Sequence, residues 1–512
     1  MNERKLGFWD VVAIGVGGMV GGGIFAVLGL TLSLSKGAAP ISFLLAGMVA
    51  LLTSYSYTKL SLRYPSEGGT VEFLVRAFGN NLFVSYLNTL LLASYIIMLA
   101  LYSYAFGSYA SALFFGAEIG LASKVFIVGV LVIFGLINAL GAYVSGKSED
   151  VMVALKVGIL VFFVAIGFFT GDLSRISPEN WARLTNVLTG GFVIFLAYEG
   201  FELIANSSHD IHDPQRVLSK AYYVSVSVVI LLYVLVSVVS AINLTPEEVI
   251  KYKDYALAVA AKPALGRLGF ILIGVAALLS TASAINATLY GSSRITYLIA
   301  KFGELPKSLK DPIWRGATEG LFLIVVTSAV FALLADLENI STAGSIGFLL
   351  IFTSVNVANF LLRKETKSNA FLGILSVLST SLATIILITY DLRSSPQSLK
   401  GTAFVLLGTL IFEIAYRTLS GIRLKAYVDW KLKEVEEEFE RREEHIKALT
   451  DVIRQIFPDA RVEVEEHAPH VRLHVITSQK PGKEEEIEGE IKRRSGLRKH
   501  HTFHIRIYRT ER

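Results

Sequence analysis

The stretch Gly15–Phe25, "GVGGMVGGGIF", lies inside the first long apolar segment of the chain, and six of its eleven residues are glycine. Glycine loses more backbone freedom on ordering than any other residue, and lipid offers no partner to a backbone that opens. Such a segment is either a close helix-packing surface of the GxxxG kind or a helix made to break where it lines a cavity. The rest of the chain has to decide between these.

The chain of 512 residues is 53% hydrophobic and only 18% charged, with a mean hydropathy of +0.55. Ordinary soluble domains carry about a quarter charged residues. Apolar stretches of about 20 residues, enough to cross hydrocarbon, recur from Val11 to Leu419. The charged faces that one large soluble core would need between them are missing. The reading is an all-α polytopic membrane protein with twelve spans, near 8–33, 40–63, 81–115, 124–145, 150–171, 187–207, 218–243, 266–300, 318–336, 340–362, 370–390 and 401–420. The first apolar segment lacks a small-residue cleavage site and reads as a span, not a removable signal peptide.

Twelve spans place both termini on one side. Loops of that side carry Arg4, Lys5, Arg63, Arg76, Lys147, Arg216, Lys220, Lys301, Lys307, Lys310, Arg315, Arg363, Lys364 and Lys367. The opposite loops mix basic residues with Asp172, Glu179, Glu247, Glu248 and Asp254. The basic bias makes the terminal side cytoplasmic, and the expected location is a cell membrane. The net charge of +5 needs no nucleic-acid partner to explain it. Without cysteine there is no disulfide framework and no thiolate metal site.

A second interruption bears on the first. The sixth span reads "GFVIFLAYEGFELIANSSHDIHDP", with Glu199, Gly200 and Glu202 in mid-segment. An acid at membrane depth costs several kcal/mol and marks a functional site by default. The two interruptions fall five helices apart, each in the first helix of a candidate five-helix half. Breaks at matching positions of two halves point to a transporter site at an inverted-repeat interface. The glycines Gly21, Gly22 and Gly23 then let span 1 open, so that its inner half-helix turns its positive N-terminal end toward an anionic group. Span 5, "VMVALKVGILVFFVAIGFF", contains one ionisable residue, Lys156. It either snorkels to the cytoplasmic boundary or stays buried, where burial disfavours its charged form.

These residues resemble the amino acid–polyamine–organocation transporter superfamily, with its LeuT-like five-plus-five inverted repeat, and within it the ApcT-like proton-coupled amino-acid transporters. The resemblance covers roughly residues 5–420. It is carried by "GVGGMVGGGIF", "SYSYTKL", "LAYEGFELIANSSHDIHDP", "YALAVAAKPALGRLGF" and "STASAINATLYG" followed by "AKFGELP". It implies repeats at about 8–171 and 187–362, with two extra helices in 370–420. It implies a substrate site between spans 1 and 6. There the amino-acid carboxylate meets freed N–H groups of Gly22, Gly23 and Ile24, and the ammonium meets carbonyls near Leu196, Ala197 and Glu199. Tyr198 would shape the side-chain pocket or serve in ordinary packing. An acid at the Glu202 position is familiar in this family; one at position 199 is a departure. Glu199 reads a cationic group, or is protonated, or faces solvent. The resemblance also gives Lys156 a role: its ammonium replaces a coupling sodium ion, reaching carbonyls of Gly17 and Val20 and hydroxyls of Ser280 and Ser283. Proton-coupled, sodium-independent symport follows from that role.

After Leu424 the composition changes. "KLKEVEEEFERREEHIKALTDVIRQIF" is a charged amphipathic helix, "ARVEVEEH" and "HVRLHVITS" alternate like strands, "KEEEIEGEIKRRSG" reads as a second helix and "HTFHIRIYRT" as a third strand. Residues 1–423 are therefore expected to form the membrane domain, and 424–512 a cytoplasmic α-β-β-α-β module suited to dimerisation or regulation. Seven of nine histidines fall here: His445, His467, His470, His474, His500, His501 and His504. Solvated positions, a zinc or nickel site and a pH sensor all remain open for them. The competing functions are an exchanger of the same fold, a channel, and a transceptor that senses an amino acid and signals through the tail. No nucleophile–base constellation, Walker loop or zinc spacing suggests an enzyme, and no cofactor is expected.

Overall fold

A computed structural model describes residues 6–419, except 67, 80, 118, 141–145, 209–210, 302–304, 311, 315–316 and 395, and then 450–467, 470–477 and 503–509. The chain divides into two compact units, Met1–Leu424 and Lys425–Arg512.

The first unit is helical. Span 1 is two helices, α1 (Phe8–Met19) and α2 (Gly23–Ser35), followed by α3 (Ala39–Arg63), the short α4 (Thr70–Phe78), α5 (Leu82–Phe115), α6 (Gly120–Ala139) and α7 (Gly146–Gly167). Span 6 is α8 (Leu184–Val193), a 3-10 turn over Phe195–Tyr198, and α9 (Leu203–Asn206). Then come α10 (Pro214–Asn243), the short α11 (Pro246–Lys251) and α12 (Ala256–Ala260), α13 (Lys262–Lys301), a small hairpin of β1 (Pro312–Trp314) and β2 (Ala317–Thr318), α14 (Glu319–Leu334), α15 (Leu337–Leu361), the one-turn α16 (Arg363–Thr366), α17 (Ala370–Ser394) and α18 (Pro396–Leu419). The ends follow local chemistry. Asn81 accepts from the Val84 amide at 3.1 Å and starts α5, Asp336 accepts from Asn339 at 2.8 Å and starts α15, and left-handed Gly116 ends α5.

Among the described residues eight helices are long and apolar enough to cross a membrane, and two bent pairs, α1 with α2 and α8 with α9, bring the count to ten. Val151–Gly167 and Glu319–Leu334 are shorter apolar helices. Large apolar side chains such as Leu121, Val125, Leu378, Phe404 and Ile411 are more than half exposed, the outward face of a protein dissolved in lipid. Inside, α3 packs along α10 and α8, α5 along α13 and α15, and α7 along α13. Between α3, α4, span 6 and α15 sits an aromatic cluster. Tyr57 meets Phe73, Phe201 and Phe352 edge-on, with ring centroids 5.5–5.9 Å apart.

In the second unit a helix covers 450–456, and β3 (Arg461–His467), β4 (His470–Thr477) and β5 (Phe503–Arg509) form one sheet. The central β4 pairs antiparallel with β3 and parallel with β5. His445, His500, His501 and the expected second helix at 483–496 lie outside the described residues, as do the side chains of His467, His470, His474 and His504.

The last span is fastened by charge. Arg417 on α18 donates to Glu413 at 2.6 Å and also to Ser85 on α5, while Thr89 of α5 donates to Glu413 at 3.2 Å. Glu413 is fully buried and Arg417 nearly so. Glu413→Ala leaves the guanidinium buried without that carboxylate, which costs about 3–5 kcal/mol. A lower thermal midpoint of the detergent-purified protein is the expected reading; an unchanged midpoint would contradict the buried pair.

Candidate substrate and coupling site

The site grows from the two breaks. Helix α1 closes with the Val20 amide donating to Val16 at 2.7 Å, and α2 opens with the Ala26 amide donating to Gly22 at 2.9 Å. The two halves meet at 47°. The amides of Gly23, Ile24 and Phe25 precede the first intrahelical bond of α2, at its positive end. In span 6 the halves meet at 46°. The chain runs extended at Glu199 (ψ 148°) and left-handed at Gly200 (φ 117°) before α9 resumes. Ser341 and Ser345 on α15 each donate to the Val193 carbonyl at 2.7 Å, and Ser345 accepts from the Leu196 amide at 3.2 Å.

The breaks touch backbone to backbone. A Cβ on Gly18 would lie 2.7 Å from the Gly200 oxygen, and one on Gly200 would lie 2.4 Å from the Gly18 carbonyl carbon. One on Gly23 would lie 2.7 Å from Ala197 Cα. Gly22 and Gly21 face Tyr102 and Ala284, so Gly21–Ile24 and Leu196–Glu199 form one neighbourhood. The Tyr198 hydroxyl donates to the Phe43 carbonyl of α3 at 2.8 Å, and its ring packs against that of Tyr233.

Glu199 and Glu202 are buried neighbours at the break, with Tyr102 beside Glu199. Glu202 further accepts from the Gly200 amide at 2.8 Å and from Tyr95 at 3.3 Å. Glu199 is only 3% exposed, so the solvent-facing alternative does not hold.

Lys156 is 2% exposed, and its Nζ donates to the Gly17 carbonyl at 3.0 Å. Snorkelling is therefore not what this side chain does. Ser280 donates to both Val20 and Gly21, at 2.9 Å each. The Val20 carbonyl thus accepts from Ser280, one of the hydroxyls expected near Lys156. Ser283, one turn further along the same helix, is half-buried.

Sequence reading missed Tyr233 of α10. Its hydroxyl lies 2.6 Å from the Met19 carbonyl and 3.2 Å from that of Ala197, one donor bridging both breaks. It also missed the stripe Tyr95, Tyr102, Tyr109 on α5, the last donating to the Phe25 carbonyl at 3.1 Å. The seven-residue spacing was the available signal, since it puts the three rings on one helix face.

Broken first and sixth spans, joined in the interior of a polytopic helical bundle, define a membrane transporter. Residues 6–411 match the model of the amino acid permease family, and the chain belongs to that family. It is 33% identical over 421 residues to the uncharacterized protein MJ0609 of Methanocaldococcus jannaschii, covering 82% of this chain and 97% of that protein. It is 33% identical over 369 residues to the inner membrane transport protein YbaT of Escherichia coli, covering 71% and 85%. With the methylthioribose transporter of Bacillus subtilis it shares 25% identity over 387 residues, covering 71% and 82%.

Tyr233→Phe removes a donor shared by two buried carbonyls. It should lower the stability of the purified protein by about 1–3 kcal/mol. A thermal or denaturant midpoint equal to wild type would show that the hydroxyl does not hold both breaks.

Proposed function

We propose that the chain is a proton-coupled, sodium-independent secondary transporter of amino acids working by alternating access. The observation that carries this reading is the buried Lys156 ammonium against the Gly17 carbonyl, at the edge of the span 1 break. A charged lysine ties span 5 to span 1, and a neutral one releases a strong donor. Proton arrival and departure then do what a sodium ion does by binding and leaving. The substrate carboxylate takes the amides of Gly22, Gly23 and Ile24. The ammonium takes carbonyls of span 6 near Leu196, Ala197 and Glu199. The Ala197 carbonyl is held by Tyr233 in this arrangement, so that hydroxyl is displaced when an ammonium arrives. The two shorter apolar helices complete twelve spans, both termini are cytoplasmic, and the tail module is a dimerising or regulatory appendage.

The deciding measurement is uptake against external pH in vesicles containing wild type or Lys156→Ala. Wild-type uptake should rise toward acid, ignore sodium and collapse with a protonophore, and Lys156→Ala should lose accumulation while still binding substrate. A variant with the wild-type pH profile would remove lysine from the coupling.

Glu199→Gln tests substrate charge. Charge-assisted bonds contribute about 1.5–3 kcal/mol, so lysine or arginine uptake should weaken about tenfold or more while alanine uptake changes little. Equal losses for all three would leave Glu199 without a role in reading substrate charge.

A further inference from the structure

Away from the two breaks, the end of α3, helix α4 and the turn α16 line an open cleft of about 530 Å³, whose wall includes Arg63, Tyr64, Glu72, Arg76 and Glu365. That volume falls in the ordinary range of ligand sites, about 300–1,000 Å³.

The charges in this cleft are unevenly matched. Glu72 already accepts from Arg76 at 2.7 Å, and Glu365 from the Tyr64 hydroxyl at 2.5 Å. Arg63 has no carboxylate within ion-pair distance among the described residues. Its guanidinium is held 5.4 Å over the Tyr64 ring, which it shares with Arg76 at 5.6 Å. Lys59, Arg363, Lys364 and Lys367 flank the cleft in the same segments, where the described acids are Glu72 and Glu365 alone. Burial, then the Glu365 carboxylate, push the Tyr64 hydroxyl above its ordinary pKa, so it stays a neutral ring under both cations.

A planar guanidinium fits a phosphate by two parallel bonds. Arg63 is also the last residue of a membrane-length helix. Basic pockets at that depth meet lipid headgroups, which stand at the surface in high local concentration.

We propose that this cleft binds the phosphate of an anionic phospholipid headgroup, with Arg63 as its principal ligand and Arg76 as its neighbour. Only the choice of leaflet rests on the orientation given above. A bound headgroup joins the end of α3 to α16 and so braces the arrangement already made by the Tyr64–Glu365 bond.

The test uses the full chain in detergent, with the thermal midpoint followed during titration with phosphatidylglycerol, phosphatidylcholine or inorganic phosphate. A saturable upward shift with phosphatidylglycerol alone is expected. Arg63→Gln should weaken the response about tenfold, whereas Lys364→Gln, the same change of charge outside the lining, should keep it. An equal shift with phosphatidylcholine, or equal loss in both variants, would overturn the site. A matching shift with inorganic phosphate would overturn the lipid assignment. The wild-type arms decide even where Arg63→Gln fails to fold. None of these readings involves uptake, so failure of proton coupling and failure of this site are separate results.

Discussion

The packing of this membrane unit turns on one contact, backbone against backbone at Gly18 and Gly200. Two helices meet this closely only where neither carries a Cβ, and the left-handed φ of Gly200 adds a second reason for glycine there. Breaking both spans at that point frees carbonyls that hydrocarbon cannot satisfy. The neighbours supply the donors. Lys156 serves Gly17, Tyr233 serves Met19 and Ala197, Ser280 serves Val20 and Gly21, and Ser341 and Ser345 serve Val193. Spans 5, 7, 8 and 10 are thus gathered around one defect in the helical ladder.

These donors are not equivalent. A serine or tyrosine hydroxyl can rotate to another acceptor, but it remains neutral near physiological pH. An ammonium can lose its charge, and with it much of the attraction that a buried carbonyl feels. Among the residues holding span 1, Lys156 is therefore the one whose grip depends on a proton. A clamp made of hydroxyls alone would lack that dependence.

The breaks were legible in the sequence because backbone weakness is local: "GVGGMVGGGIF" and "YEGFE" declare themselves without knowledge of any neighbour. Lys156 was legible as a lone charge, but its partner came through family resemblance, since periodicity cannot say which carbonyl a lysine will meet. Tyr233 was not legible. A tyrosine in an apolar span looks like any packed ring, and only the fold reveals two open carbonyls beside its hydroxyl. The span boundaries fell within a few residues of the helices. The short α4, α11, α12 and α16 were overlooked because amphipathic pieces of four to nine residues carry too little periodicity to stand out.

The chemistry of an amino acid suits this arrangement for a reason of charge. On the proposed reading a zwitterion would bring a carboxylate to the positive end of α2 and an ammonium to the carbonyls of span 6, adding no net charge to a site buried at membrane depth. Its binding leaves the charge balance of the interior unchanged, so on the proposed reading the charge that moves with each cycle is the proton alone. A cationic amino acid breaks that neutrality. On the proposed reading it would need a carboxylate inside the bundle, and buried Glu199 and Glu202 stand at the span 6 break to supply one.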